Sequence, residues 1–147
     1  MDVSSDSERV SALAYDLRRI AGKLKRRLRD QADVGDLTPS QRSVLLRLEK
    51  DGPATTSNLA RLEGMRPQSM GAIIAALESA GIVRGTPDPT DGRRTLLSLT
   101  ETCRTWLNDG RAARQDWLSR TIEARLAPHE QDQLVAAMTL LQRLIDD

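Results

Sequence analysis

From residue 7 to residue 31, apolar side chains recur at three- and four-residue steps: Val10, Leu13, Ala14, Leu17, Ile20, Ala21, Leu24 and Leu28. That period predicts an amphipathic helix. Its length, about seven turns, exceeds what a small core needs, so one end is expected to reach a partner. Gly35 and Asp36 break the pattern. "TPSQ" then predicts a new start, with Thr38 as cap, Pro39 at the first helical position and Gln41 completing a capping box. Val44, Leu45 and Leu48 form its inward face, and Asp51-Gly52-Pro53 closes it. A short helix follows from Thr55 or Thr56, with Leu59, Ala60 and Leu62 as its apolar side. Glu63-Gly64-Met65 reads as a tight turn. The next helix is expected from Pro67 to about Ala80, stopping at Gly81. Ile82–Thr86 and Thr95–Leu99 are β-prone runs that predict a hairpin with a loop of about eight residues. Thr100 opens a long helix over 100–126, with Trp106, Leu107, Ala113, Trp117, Leu118 and Ile122 on its apolar side. "APHE" (Ala127–Glu130) opens the last, through Leu134, Val135, Met138, Leu141, Leu144 and Ile145. The chain is therefore expected to be mainly α with one small β-hairpin.

Two short helices joined by a glycine-containing turn form a helix-turn-helix pattern, and a hairpin directly after it reads as the wing of a winged helix. On the helix from Pro67, Met70, Ile73, Ile74 and Leu77 converge on one side. The opposite side holds Gln68, Ala72, Ala75 and Ser79, flanked by Ser69 and Ala76, with no charge and little bulk. Such a face suits either close packing against another helix or entry into a DNA groove. In the groove, Gln68 would pair with an adenine edge and alanine would meet a thymine methyl. The hairpin tip, "TPDPTDGRRTLLSLT" (Thr86–Thr100), carries Arg93 and Arg94, which no turn requires. Either these are surface cations on a loop, or an arginine enters the minor groove, whose negative potential attracts it. In the second reading Asp91 would hold the Arg93 guanidinium by a charge-assisted hydrogen bond. Gly92 is expected to supply an unusual φ at the tip.

Composition narrows the classes. At 147 residues the chain suits one domain or one compact unit with an extension. One cysteine, Cys103, excludes an intrachain disulfide framework and favours a cytoplasmic setting. One histidine, His129, argues against a His/Cys metal cage, so no metal and no cofactor are expected. No apolar run approaches a membrane span, and the charged first twenty residues do not resemble a signal peptide. The net charge of +1 offers no bulk attraction for nucleic acid. Locally, Arg18 to Arg29 holds seven cations and no acid. These form either a solvated face at the negative end of a helix dipole or a surface for phosphate or a partner. No glycine-rich phosphate loop and no nucleophile–base set is present, so no enzyme is expected.

Over about residues 7–145 the chain resembles the MarR family of transcriptional regulators. "DPTDGRRTLLSLT" (Asp88–Thr100) carries the resemblance most specifically, supported by "LTPSQRSVLLRL" (Leu37–Leu48) and "NLARLEGMRPQSMGAIIAALESAGIVRG" (Asn58–Gly85). The resemblance implies a homodimeric repressor on a pseudo-palindromic double-stranded DNA operator, released by a small ligand, often phenolic or aromatic, in a crevice between the winged helix and the dimerisation helices. It divides the chain into a dimerisation helix (1–34), a DNA-binding winged helix-turn-helix (37–100) and C-terminal dimerisation helices (101–147). Arg93 matches the minor-groove arginine and Asp91 the aspartate that orients it, with Arg94 beside them. Pro67, Gln68, Ser69 and Ala72 fall on the recognition helix. Thr38 and Thr55 fall at helix N-termini, where amides could meet phosphates. Arg66 replaces a serine-like cap and could reach a phosphate instead. Cys103 stands where the family often has glycine, and a buried thiol fits it better than redox sensing. The alternative is a winged-helix protein-interaction module without DNA binding.

Overall fold

In a computed structural model, which describes residues 3–32 and 35–147, the chain forms six helices and one two-stranded antiparallel sheet. The helices are α1 (Val3–Asp30), α2 (Pro39–Asp51), α3 (Thr56–Leu62), α4 (Pro67–Ser79), α5 (Glu101–Arg125) and α6 (Pro128–Ile145). The strands β1 (Val83–Pro87) and β2 (Thr95–Leu99) lie between α4 and α5. The predominantly helical class with one hairpin is as the periodicity predicts. The first helix starts four residues earlier than its apolar pattern. Residues 33 and 34, where the expected first segment ends, lie outside the described residues.

The chain divides into two compact units. One is Val34–Gly110; the other joins Met1–Asp33 to Arg111–Asp147. The central unit owns the core: Val44, Leu45 and Leu48 from α2, Leu59 and Ala60 from α3, Met70, Ile74 and Leu77 from α4, Val83, Leu97 and Leu99 from the hairpin, and Cys103 from the first turn of α5. Leu62, expected on the apolar side of its helix, is exposed instead. It is the last residue of a seven-residue helix, and the chain turns away immediately after it.

The caps are local chemistry. The Thr38 hydroxyl accepts from the Gln41 N–H at 3.2 Å and the Gln41 side chain accepts from the Thr38 N–H at 3.0 Å. That reciprocal pair satisfies two of the donors a helix start leaves open. Gly52, at φ 86°, ends α2 in a backbone conformation that L side chains rarely adopt. Thr100 closes the wing onto α5. Its hydroxyl donates to the Gly81 carbonyl at 2.6 Å and accepts from the Cys103 N–H at 3.1 Å. At the start of α6, Glu130 accepts from the Ala127 N–H at 2.9 Å.

The hairpin pairs Val83 with Leu99 and Pro87 with Thr95, one residue further along than the β-prone run suggests, so its loop is 88–94. Gly85 is fixed by space, since a Cβ there would stand 2.6 Å from the Thr95 methyl. A further bridge joins Ala54, between α2 and α3, to Leu97 through N–H···O bonds of 3.1 and 2.8 Å in the two directions. β2 is thus held on both edges, and the segment entering α3 is tied to the wing.

Candidate nucleic-acid interface

Three pieces of the central unit carry the residues singled out from the sequence. The first is the helix-turn-helix. Thr55 caps α3, its hydroxyl accepting from the Asn58 N–H at 3.2 Å. The turn is closed by the Met65 N–H on the Ala60 carbonyl at 2.8 Å, with Gly64 at φ 64°. Pro67 then begins α4 with its φ already helical. Arg66 is the N-cap residue of α4 and makes no side-chain cap. Its guanidinium is not spent on the helix end, and the residue is exposed. Pro67, Gln68, Ser69 and Ala72 are exposed together with Ala75, Ala76 and Ser79, while Met70, Ile74 and Leu77 are buried. Burial of one side therefore fixes which side faces outward, and that outward side is smooth and uncharged.

The helix-turn-helix is braced by an ion pair that helical periodicity does not reveal. Glu63, 15% exposed, accepts from the Arg47 Nε at 2.8 Å and from the Ser43 hydroxyl at 3.0 and 2.9 Å. The hydrogen bond from Arg47 holds the Glu63 carboxyl below its usual range, against the opposing effect of burial. Ser43 and Arg47 are one turn apart on α2, which makes them visible as a pair. Their partner 16 residues beyond Arg47 is set only by the tertiary fold.

The second piece is the wing tip. Asp88 accepts from the Thr90 N–H and hydroxyl, both at 2.9 Å, and these bonds, the backbone one first, hold its carboxyl below the ordinary range. The Asp88 N–H donates to the Arg94 carbonyl at 2.9 Å, closing the loop. Asp91 does not hold Arg93 by the expected side-chain hydrogen bond. Its Oδ1 accepts from the Arg93 backbone N–H at 3.1 Å, and the Arg93 Nε stands 3.7 Å from the same oxygen. That separation is an ion pair too long for a hydrogen bond. Two residues of separation let the carboxylate reach its neighbour's amide but not meet the guanidinium squarely. The Arg94 Nε lies 3.8 Å from Asp91 Oδ2, so one carboxylate serves both cations. Gly92 also differs from expectation, because its φ is not positive. The tip turn, closed by the Arg94 N–H on the Asp91 carbonyl at 2.9 Å, does not use the left-handed region. Arg93 is 96% exposed.

The third piece joins the first two. Thr55 on α3 and Arg94 on the wing line one cleft of about 470 Å³, together with Ser57, Asn58 and Arg61. Thr38 is exposed at the start of α2, its hydroxyl and N–H both engaged in the capping box. Arg61 and Ser57 were not legible as site residues. On a seven-residue helix they are simply the polar side, and only the folded wing brings Arg94 to the same cleft.

Cys103 is 3% exposed, and burial, with Glu49 adding repulsion, pushes its thiol up, which disfavours the reactive thiolate. Among the described residues, no helix is long and apolar enough to cross a membrane.

Known proteins share the family and the fold of this chain. Residues 37–95 match the MarR family model. An uncharacterized HTH-type transcriptional regulator of Mycobacterium bovis is 37% identical over 135 residues, covering 92% of this chain and 94% of its own. A Pseudomonas aeruginosa protein whose crystal structure is described as that of a transcriptional regulator is 36% identical, covers 95% of this chain and 97% of its own, and superposes with a TM-score of 0.75. A variant of S. aureus MepR bound to an oligodeoxyribonucleotide shares the fold, with a TM-score of 0.70 at 19% identity over 91% of this chain and 98% of its own. The chain belongs to the MarR family of helix-turn-helix transcriptional regulators.

Proposed function

We propose that the protein is a homodimeric repressor that binds a pseudo-palindromic double-stranded DNA operator and is released by a small molecule. The observation that carries DNA reading is the pairing, within one compact unit, of a smooth uncharged face on α4 with a fully solvated Arg93 on the wing that follows it. A helix face without charge or bulk can lie deep in the major groove, where Gln68 reaches a base edge. Arg93 then enters the adjoining minor groove, its backbone set by Asp91 and its guanidinium in a loose 3.7 Å ion pair with the same carboxylate. Arg66, Pro67, Ser69, Ala72 and Arg94 surround these two readers, and Thr38 and Thr55 approach phosphates from helix starts. The oligonucleotide bound to the S. aureus MepR variant supports the same use of this fold.

Dimerisation is assigned to residues 1–34 and 101–147. α1 and α6 bury no side chain, although both are amphipathic. Val10, Leu13, Ile20, Val135, Met138 and Leu144 stay exposed in the single chain. For release, a cleft of about 460 Å³ in the central unit suits a mainly apolar effector. Its lining includes Leu37, Gln41, Leu77, Ile82, Cys103 and Trp106. The amide of Gln41 supplies a polar anchor, and the Trp106 ring a stacking surface. Regulators of this kind act in the cytoplasm.

The test is an electrophoretic shift with the chain's own upstream DNA at moderate salt. A sequence-selective shift below micromolar protein is expected, and Arg93→Ala should weaken it by roughly 1–3 kcal/mol with thermal stability unchanged. No selective shift would leave the chain as a winged-helix interaction module. An Arg93→Ala variant that unfolds would make this arginine structural.

A further inference from the structure

We infer that the cleft between α3 and the base of the wing is a clamp for one backbone phosphate of DNA, closed by Arg61 from one side and Arg94 from the other. This rests on the DNA-binding reading and assigns the two adjacent wing arginines different work. Arg61 and Arg94 line the same cleft with Thr55, Ser57 and Asn58, and no carboxylate lines it. Two guanidiniums lining one cleft, one of them 3.8 Å from an Asp91 carboxylate that lies outside the lining, make a place for an anion, and their planar forks match phosphate oxygens.

The site is built rather than incidental. Arg61 donates from Nη2 to the Asn58 Oδ1, and the Arg94 Nε rests 3.8 Å from Asp91. Each head is tethered at one edge with donors to spare, so less side-chain freedom is lost on binding. The Thr55 and Ser57 hydroxyls lie 3.3 Å apart. One proton is used between them and the other remains to donate into the cleft. The Ala54–Leu97 bridge ties the chain entering α3 to β2, which fixes the spacing of the two walls. Arg94 is 67% exposed against 96% for Arg93. The outer arginine is placed to read a groove, the inner one to grip the backbone beside it.

A phosphate contact positions the protein and carries no sequence information. Arg61→Gln and Arg94→Gln should therefore weaken operator and scrambled duplex alike, by about tenfold or more, and flatten the dependence of affinity on salt. The double variant should cost less than the two singles combined, because both grip one group. The decisive experiment replaces the operator's backbone phosphates one at a time by uncharged methylphosphonate. Wild type should lose affinity at one position per half-site where the Arg61→Gln/Arg94→Gln variant loses no more. Thermal unfolding of the variants should match wild type, since both residues are exposed. If the variants change only the binding of inorganic phosphate, followed by NMR, and leave the methylphosphonate profile as in wild type, the cleft serves a free anion and the clamp is overturned. A wild type that binds duplex with no such position overturns the clamp alone. A wild type that binds no duplex overturns the functional reading with it.

Discussion

The central unit and the terminal-helix unit are written in the same amphipathic code and end differently. Between Val44 and Cys103 the chain buries twelve residues to near completion. α1 and α6 bury none, and twelve of the fourteen large exposed hydrophobic residues among the described residues belong to them. Burying a leucine or valine fully is worth about 1.5–3 kcal/mol, so a stripe of them left in water is a large unclaimed stabilisation. Length explains the difference. Helices of 13, 7 and 13 residues with a hairpin can close around one another. A helix of 28 residues is roughly 40 Å long, more than a small unit can cover. A winged helix of this sort completes itself, whereas the flanking helices leave their apolar stripes uncovered, which the proposed second copy would bury.

The contrast can be broken at several points. The largest effect is expected from Leu144→Asp on the exposed stripe of α6. It should weaken self-association by more than about 3 kcal/mol, the scale of an unpaired charge in an apolar interface. Light scattering after size exclusion would show the half-sized species. Leu45→Ala, in the completed core, should instead lower stability to denaturant by about 3 kcal/mol through the cavity it leaves. Gly85→Ala should cost about 2 kcal/mol by overpacking against Thr95. The measurable sign is loss of amide protection in the hairpin before the helices. Glu63→Gln is the mildest, at about 1 kcal/mol near neutrality. Its pH dependence is the informative part. Arg47 lowers the folded pKa of Glu63. The stabilisation is therefore complete above the unfolded value, near 4.3, and disappears as pH falls through the lower folded value. The gap between wild type and Glu63→Gln in urea should shrink below about pH 4; a gap that is flat or widens in acid would contradict the assignment.

Much of this was readable in the chain. Period and caps located every helix, because Thr38 with Gln41 and Thr55 act through bonds to neighbours a few residues away and Pro67 through its own fixed φ. The outward face of α4 followed from the burial of Met70, Ile74 and Leu77. What stayed hidden depends on residues far apart in sequence. Arg61 comes to line one cleft with the wing's Arg94 only after folding. Glu63 finds Arg47 across an interhelical gap, and Ala54 forms a single-residue bridge too short to have a period. At the wing tip the residue types were informative and the geometry was not. Asp91 grips a backbone amide, and the turn at Gly92 needs no special φ.

The most direct test of the account is the mass of the full chain at micromolar concentration by sedimentation equilibrium. Twice the chain mass of 16.3 kDa is the predicted result. A stable species of single-chain mass, with the stripes of α1 and α6 in water, would contradict it.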